Sequence, residues 1–334
     1  MNCTRYTVLL LAVTALGCAK EQKLVEVPAH FPELPVPADN SITQEKIELG
    51  RALFYEEALS KDSSISCASC HLQSLAFSDG KKVSIGVHGA TGQRNSPALQ
   101  NLAYYPGFFM DGGIPTLEMQ VEAPIFTEEE MAFSYFEASK RLNADEHYLA
   151  LFQAAFGKEA DAYGITRSIA AFERTMISGN SKYDQFENGK ATLTENEQKG
   201  MDLFFSEKTG CSDCHSGFLF TDFSMINVGL YENYVDTGYA RITQKSSDAG
   251  KFRVSSLRNV ALTAPYFHDG SVETLEEVID HFNSGGKAHS NKDRRIRPLD
   301  LSGKERSDLI AFLHTLTDES FIKDPRFSDP KLAD

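Results

Sequence analysis

Two short runs, Cys67-Ala68-Ser69-Cys70-His71 and Cys211-Ser212-Asp213-Cys214-His215, concentrate the chemically useful side chains of this chain. Each reads C-x-x-C-H. Two thiols with two residues between them can form thioethers to both vinyl groups of one porphyrin, and the histidine that follows falls beneath the iron as its proximal ligand. Together the runs use every cysteine beyond residue 18. Other uses of paired cysteines fit less well. A zinc site assembled from two C-x-x-C pairs usually draws them from within a couple of dozen residues. Here more than a hundred intervene, and each pair carries the extra histidine. A thioredoxin-like redox pair would sit in a βαβ pattern, and no such alternation surrounds either run. The expectation is one covalent c-type haem per motif, held by Cys67 and Cys70 with His71 on the iron, and by Cys211 and Cys214 with His215.

The elements that must carry these motifs repeat. Ile42-Thr43-Gln44 and Gly50-Arg51-Ala52-Leu53-Phe54-Tyr55 lead into the first motif; Leu193-Thr194-Glu195 and Gly200-Met201-Asp202-Leu203-Phe204-Phe205 lead into the second. Both stretches read as amphipathic helices opened by capping boxes, Ser41 with Gln44 and Thr194 with Glu197. Beyond the motifs, Leu99-Gln100-Asn101-Leu102-Ala103 is answered by Leu257-Arg258-Asn259-Val260-Ala261, and Phe109-Met110-Asp111-Gly112 by Phe267-His268-Asp269-Gly270. Helical periodicity recurs at Tyr148–Phe156, Ile165–Met176, Leu275–Phe282 and Leu309–Leu316, the last after a capping box at Ser302 and Glu305, while strand signals are scarce. The fold expected is all-α, two tandem cytochrome c-like domains with one haem each. The polar stretch Asp184–Ala191 divides them into residues 41–188 and 189–322, followed by a tail at 323–334.

The 334 residues and 41% hydrophobic content suffice for cores of that size. A net charge of −14 argues against nucleic acid as a partner and suits a basic protein partner. Residues 1–18 read as an export signal: Arg5 precedes the apolar run Tyr6–Leu16, which is too short to span a bilayer. Ala15-Leu16-Gly17-Cys18 resembles a lipobox that would place a lipid anchor on Cys18, ordinary cleavage being the alternative. Either way the expected location is the periplasm. Residues 19–40, with Pro28, Pro32, Pro35 and Pro37, read as an extended linker. His30, His147 and His314 have no motif around them and read as surface or packing residues.

From about Ile47 to Leu316 the chain resembles the bacterial dihaem cytochrome c peroxidases and their relatives that mature tryptophan tryptophylquinone cofactors. The resemblance rests on Arg94-Asn95-Ser96-Pro97, Phe109-Met110-Asp111-Gly112, Leu117-Glu118-Met119-Gln120, Glu130-Met131 and Pro265-Tyr266-Phe267-His268, besides the two haem motifs. It implies that the N-terminal haem meets hydrogen peroxide and the C-terminal haem takes electrons from a small cytochrome c or cupredoxin. It puts Gln120 and Glu130 over the first haem. Heterolysis of an O–O bond needs a base to move a proton from the near oxygen to the leaving one, and a polar group to orient the peroxide. Glu130 has a structural alternative, since Thr127–Glu130 also reads as a capping box. His88 occupies the loop from which such enzymes supply a displaceable distal iron ligand, one residue out of the usual spacing; the alternative is an exposed loop histidine. Asn95, Thr263 and Pro265 match positions that hold an interdomain calcium ion, with plain turn residues as the alternative. Members of the family often pair as homodimers.

Two departures stand out. Met110 occupies the place where most relatives carry a tryptophan between the haems, and the chain has no tryptophan; electrons then cross directly or through Tyr104 or Tyr105. Phe282, which cannot bind iron, stands where relatives present Met or Tyr to the second haem. His281, His268, His289, Met225 or no protein ligand remain for that position. Three activities fit: a peroxidase reducing hydrogen peroxide to water, an oxidase modifying a partner protein, and a plain dihaem electron carrier. The Gln120–Glu130 pair favours an enzyme, because a carrier has no use for proton-handling groups above an iron.

Overall fold

The computed structural model describes residues 23–332, so the signal segment and Cys18 lie outside the described residues. Among the described residues ten α-helices dominate: α1 (Gln44–Phe54), α2 (Leu117–Phe126), α3 (Tyr135–Asn143), α4 (Glu146–Phe156), α5 (Ala162–Thr175), α6 (Lys182–Glu187), α7 (Glu195–Phe204), α8 (Ala240–Thr243), α9 (Leu275–Ser284) and α10 (Gly303–His314). A two-stranded antiparallel ribbon, β1 (Met225–Ile226) with β2 (Phe252–Arg253), is the only named sheet among the described residues. The starts of α7 and α10 are set by the boxes legible in the sequence, with Thr194 and Ser302 as caps reciprocated by Glu197 and Glu305. That expected at Ser41 and Gln44 does not form; Thr43 caps α1 instead, accepting the Lys46 N–H at 3.3 Å. Nor does Thr127–Glu130 open a helix. Its hydroxyl donates back to the Ala123 carbonyl, and α3 begins only after Ser134.

The repeat reappears as a crossing of two helices in each half. α1 lies across α5, and α7 across α10. Both crossings bring backbones into contact at a glycine. A Cβ on Gly50 would stand 1.9 Å from the Ser168 carbonyl oxygen, and one on Gly200 would stand 1.8 Å from that of Asp308. The equivalent Phe172 and Phe312, both fully buried, pack beside them. Around these crossings two main cores form, one about Leu49, Leu53, Phe54, Ile169 and Phe172, the other about Phe204, Phe220, Leu309, Phe312 and Leu316.

Three segments depart from the simple division read from the sequence. α6 belongs with the second core, because Tyr183 packs on Phe220 and Phe312, so the chain passes between cores before residue 188. The end of the chain is a strap, not a tail. Phe321 and Phe327 are buried in the first core against Phe77, and Arg51 and Tyr55 of the first half donate to the carbonyls of Ser328 and Phe327 at 2.6 Å each. The proline-rich stretch before α1 is docked as well: Phe31 is buried between Tyr104 and Phe218, and His30 pairs with Asp184.

Buried polar groups join the halves. Asn101 and Asn259, equivalent in the repeat and both left-handed in backbone (φ 61° and 58°), each brace the turn after the closing helix of their own half. Asn101 N–H donates to the Met176 carbonyl, and its side chain bonds both backbone groups of Ser178. Asn259 N–H donates to the Leu316 carbonyl, and its amide oxygen accepts from Asp318 N–H. The two braces touch, since Asn259 donates to the Ser178 hydroxyl, which donates to Asp318. Arg258 is 2% exposed and forks onto Asp184 at 2.8 and 2.9 Å.

The glycine crossings give a direct test. Gly50→Ala and Gly200→Ala should each lose roughly 1–3 kcal/mol of stability through overpacking in denaturant titrations, while Gly303→Ala, where no atom lies closer than 3.8 Å, should lose nothing. Equal stability of all three variants would show that the close crossings do not exist.

Candidate functional site

Both histidines of the C-x-x-C-H motifs are held in the same way. His71 Nδ1 lies 2.7 Å from the Phe77 carbonyl oxygen, and His215 Nδ1 lies 3.1 Å from that of Phe220. A carbonyl only accepts, so each Nδ1 carries the proton and each Nε2 keeps its lone pair. This is the tautomer and ring orientation that an iron ligand needs. Phe77 and Phe220 turn their carbonyls to the rings through positive φ (63° and 53°), a region that costs an L-residue about 1–2 kcal/mol; its recurrence at equivalent places marks a constraint on the histidines. Burial keeps both imidazoles below the ordinary histidine range and therefore neutral. The same cause pushes up the four thiols, Cys214 to about 11. All four cysteines are free of disulfides. Among the described residues no three His, Cys, Asp or Glu side chains converge on a metal position, so the two C-x-x-C pairs do not meet as one zinc site. The donor set fits two separate haems: paired thiols, then a neutral imidazole presenting Nε2.

Three loops assemble the neighbourhood of the first motif. Arg141 of α3 holds the loop before Cys67, donating to the carbonyls of Ala58 and Ser60 at 3.1 and 2.6 Å and of Lys61 at 2.8 Å. Lys61 N–H donates to the Met131 carbonyl at 3.0 Å, and Val87 N–H to the Glu130 carbonyl at 2.8 Å. Gly86 allows that approach, because a Cβ there would lie 2.1 Å from the Glu129 carbonyl oxygen. The Glu130 side chain is exposed. Desolvation, aided by the neighbouring Glu129, raises its carboxyl above the usual carboxylate range. Gln120 is half-buried on α2, one turn before Pro124. Proline has no N–H to give the Gln120 carbonyl, and the Pro124 carbonyl accepts Met131 N–H at 3.1 Å. The Glu130 loop therefore folds back on the turn of α2 that follows Gln120.

The remaining sequence candidates take definite places. His88 is exposed, with φ 57°, and its Nδ1 lies 3.3 Å from Asp62. Asn95 sits at the seam: its N–H donates to the His268 carbonyl at 2.9 Å, and its amide nitrogen to the Lys81 carbonyl at 2.8 Å, leaving the amide oxygen as a lone-pair donor. Thr263 donates its hydroxyl to the Val260 carbonyl at 3.2 Å, and Pro265 follows a cis peptide bond. Phe282 packs against the second core near Phe267. Of the groups considered for its place, His281 commits Nε2 to the Val228 carbonyl at 3.0 Å. His289 Nδ1 accepts Asn291 N–H, His268 stacks on Phe252 at 3.9 Å, and Met225 presses its methyl against Gly112. Met110 offers its carbonyl to Arg253 N–H at 2.8 Å across the halves, and Tyr105 lies under the Arg253 guanidinium at 5.0 Å. Sequence reasoning missed the Arg94 clamp, in which one guanidinium grips Asp236 at 2.7 Å and Asp111 at 2.8 Å. It also missed Glu173, buried on α5 with Oε2 unpartnered.

Residues 44–192 match the sequence profile of the family described as di-haem cytochrome c peroxidase. The chain is 37% identical, over 92% of its length and 89% of the relative's, to the methylamine utilization protein MauG of Methylorubrum extorquens. It is 35% identical, over 95% of its length and 94% of the relative's, to the cytochrome-c peroxidase IdrP1 of Pseudomonas sp. strain SCT. Among solved structures, a MauG-like protein associated with microbial copper homeostasis superposes with a TM-score of 0.89 at 41% identity, covering 92% of this chain and 99% of the other.

Gly86→Ala should push the Glu130 loop off Val87, lowering stability by roughly 1–3 kcal/mol and cutting turnover in the same variant. Gly92→Ala, with no atom within 4 Å, is the control. Unfolding curves that superpose for the two variants would remove Gly86 from the support of the site.

Proposed function

The chain belongs to the di-haem cytochrome c peroxidase family, and we propose that it reduces hydrogen peroxide to water with electrons from a small periplasmic donor protein, a cytochrome c or cupredoxin. The observation that carries this reading is the placement of Glu130 on a loop braced against the segments that flank the first haem motif, its carbonyl accepting Val87 N–H at 2.8 Å and the next carbonyl, of Met131, accepting Lys61 N–H at 3.0 Å, with desolvation raising its proton affinity. Two c-type haems, one in each of two cytochrome c-like domains, would supply the electron relay and the iron at which peroxide binds. Cys67, Cys70, Cys211 and Cys214 would hold them covalently, with His71 and His215 presenting Nε2.

The chain's own residues then handle protons. The Glu130 carboxylate accepts the proton of the peroxide oxygen nearest the iron and returns it to the departing oxygen, while the Gln120 amide orients the substrate. Two electrons and two protons convert one hydrogen peroxide into two waters. His88, paired with Asp62 at the surface, would have to leave that contact to ligate iron. Asn95, Thr263 and Pro265 would lend oxygen atoms to a calcium ion across the halves. The net charge of −14 suits a basic donor. A signal at residues 1–18, with Cys18 lipidated, would hold the enzyme at the periplasmic face of a membrane, where it pairs as a homodimer.

A second reading, oxidation of a partner protein, is favoured by the similarity to MauG and the MauG-like protein; Phe282, which matches neither axial ligand expected there, does not choose between the two. The second reading uses the same Glu130 and Gln120.

Peroxide turnover with a reduced cytochrome or cupredoxin tests the proposal. Glu130→Gln should lower kcat by about 10²–10⁴-fold. Because the Glu130 carboxyl keeps its proton above the usual carboxylate range, wild-type turnover should fall on acidification from a higher pH than an ordinary glutamate would give, and Glu130→Gln should lose that limb. Undiminished turnover in the variant would exclude the proton-shuttle role. Absence of turnover in the haem-loaded wild type, with oxidation of a partner protein, would favour the second reading.

A further inference from the structure

The overall charge of −14 is unevenly spread, and it reverses locally against the second haem motif. Between α9 and α10, Lys287, Lys292, Arg294, Arg295 and Arg297 fall within eleven residues, with Asp293 as the one acid. The stretch after α2, equivalent in the repeat, has the opposite sign, with Glu128, Glu129 and Glu130 in a row. The basic segment is a closed loop. At its neck a Cβ on Gly285 would stand 2.6 Å from Pro298 Cδ, and Lys292 Nζ donates to the Gly285 carbonyl at 2.7 Å. Lys287 and Asp293 donate their N–H groups to the carbonyls of Gly229 and Asn227 at 2.7 and 2.9 Å. Arg295 reaches the carbonyl of Asp213, inside the motif, at 3.3 Å. Arg297 reaches those of Glu207 and Lys208, just before it, at 3.1 and 3.4 Å. The loop therefore holds the chain both before and after Cys211–His215.

Most of its charge is unmatched. Asp293 accepts twice from Arg295 at 2.9 Å, and Asp222 stands 4.0 Å from the same guanidinium. Arg297 and Lys292 spend donors on carbonyls, which satisfy hydrogen bonds without cancelling charge. Lys287 stands over the Tyr231 ring at 5.3 Å, and Arg294 is exposed. Among the described residues none of these four forms an ion pair, whereas nearby Lys208 is taken by Glu305. Glu207 and Asp213 are the exposed acids of the motif loop, two against four. At physiological salt, charges beyond about 8 Å are screened, so a protein touching this face meets the collar and not the net charge of the chain.

We propose that loop 285–298 and the second motif form the docking face for a small electron-carrier protein that presents an acidic patch around its own redox centre. The inference rests on the reading that electrons enter at the second haem; it keeps the small donor of that reading and reverses the charge of its contact face. One electron passes per encounter, oxidising the donor's metal and reducing the haem iron, with no bond or proton exchanged. Opposite charges steer such encounters and set their orientation. An anionic membrane, or the Glu128–Glu130 loop of a second copy, offers the same sign of charge, but the collar's contacts converge on the haem-bearing loop, which favours a redox partner.

The experiment runs the transfer downhill across the same face. Fully reduced, haem-loaded protein is mixed, without peroxide, with oxidised plastocyanin as the acidic carrier or oxidised mitochondrial cytochrome c as the basic one. The plastocyanin rate should fall about tenfold or more between about 0.01 M and about 0.15 M ionic strength, and as far again in Lys287→Glu with Arg294→Glu at low salt. Cytochrome c should be slower at low salt and gain in that variant. Benzoquinone, small and neutral, should oxidise both proteins equally fast. Lys287→Arg with Arg294→Lys should keep wild-type rates, and Lys287→Gln with Arg294→Gln should fall between, which guards against misfolding of the charge reversal. NMR shifts of labelled, oxidised plastocyanin against the oxidised protein should map to its acidic patch and vanish with the reversal, a readout that needs no electron transfer. Cytochrome c outpacing plastocyanin, or a plastocyanin rate indifferent to salt and to the variants, would overturn the proposal while the peroxidase reading stands. So would a dimer, or binding to phosphatidylglycerol vesicles, that the charge reversal abolishes without changing the plastocyanin rate. The expected rates in a protein that turns over no peroxide would sink the peroxidase reading alone.

Discussion

One carboxylate fixes how the two halves meet. Asp318 is 2% exposed. One oxygen accepts from the Ser178 hydroxyl and the backbone N–H groups of Gly179 and Asn180. The other accepts from Ser320 N–H, the Ser320 hydroxyl and Phe321 N–H. Such a group is tolerable inside a protein only when its donors are all in place, and these come from the segment leaving the first crossing and the segment leaving the second. The relative placement of the two haem motifs depends on that arrangement, since each motif is tied to its own crossing. Asp184 with Arg258 repeats the device a short way along the seam. Pairs of this kind add little net stability but make the wrong geometry costly.

Much of this was legible in the sequence because the chain states it twice. The glycine of Gly50-Arg51-Ala52-Leu53-Phe54 and that of Gly200-Met201-Asp202-Leu203-Phe204 mark the two crossings, and Asn101 and Asn259 mark the two braces. The haem motifs needed only their spacing. Long-range partners were not legible. Nothing local in Phe321 or Phe327 tells that they return to the first core, or in Arg94 that its guanidinium reaches Asp236. The cap at Thr43 won over Ser41 because several hydroxyls precede α1 and only the geometry chooses among them. Glu173 did leave a signal: it stands eight residues after Ile165 on the apolar stripe of α5, where a charge has no reason to be. At the second axial position Phe282 excludes itself, and His281 Nε2 and His289 Nδ1 are engaged with the Val228 carbonyl and the Asn291 N–H.

The buried carboxyls divide by their partners. Glu118, Asp184 and Asp318 are surrounded by donors and hold the fold. Glu173 lacks them. Proton affinity is thus set by whether an arginine or a backbone amide has been supplied, and the second half has no counterpart of that unpaired group: Glu173 is answered by Leu313, one residue past Phe312. The duplicated halves share their scaffold and differ in their acid–base equipment.

The strap carries a consequence for how the first core is completed. Phe327 touches Phe77 and Phe172, and Phe321 touches Phe77, so aromatic rings from the far end of the second half fill a core whose other buried members run from Leu49 to Met176. The second core draws none of its buried members from beyond Leu316. One half can therefore close on its own residues, while the other borrows its last ones.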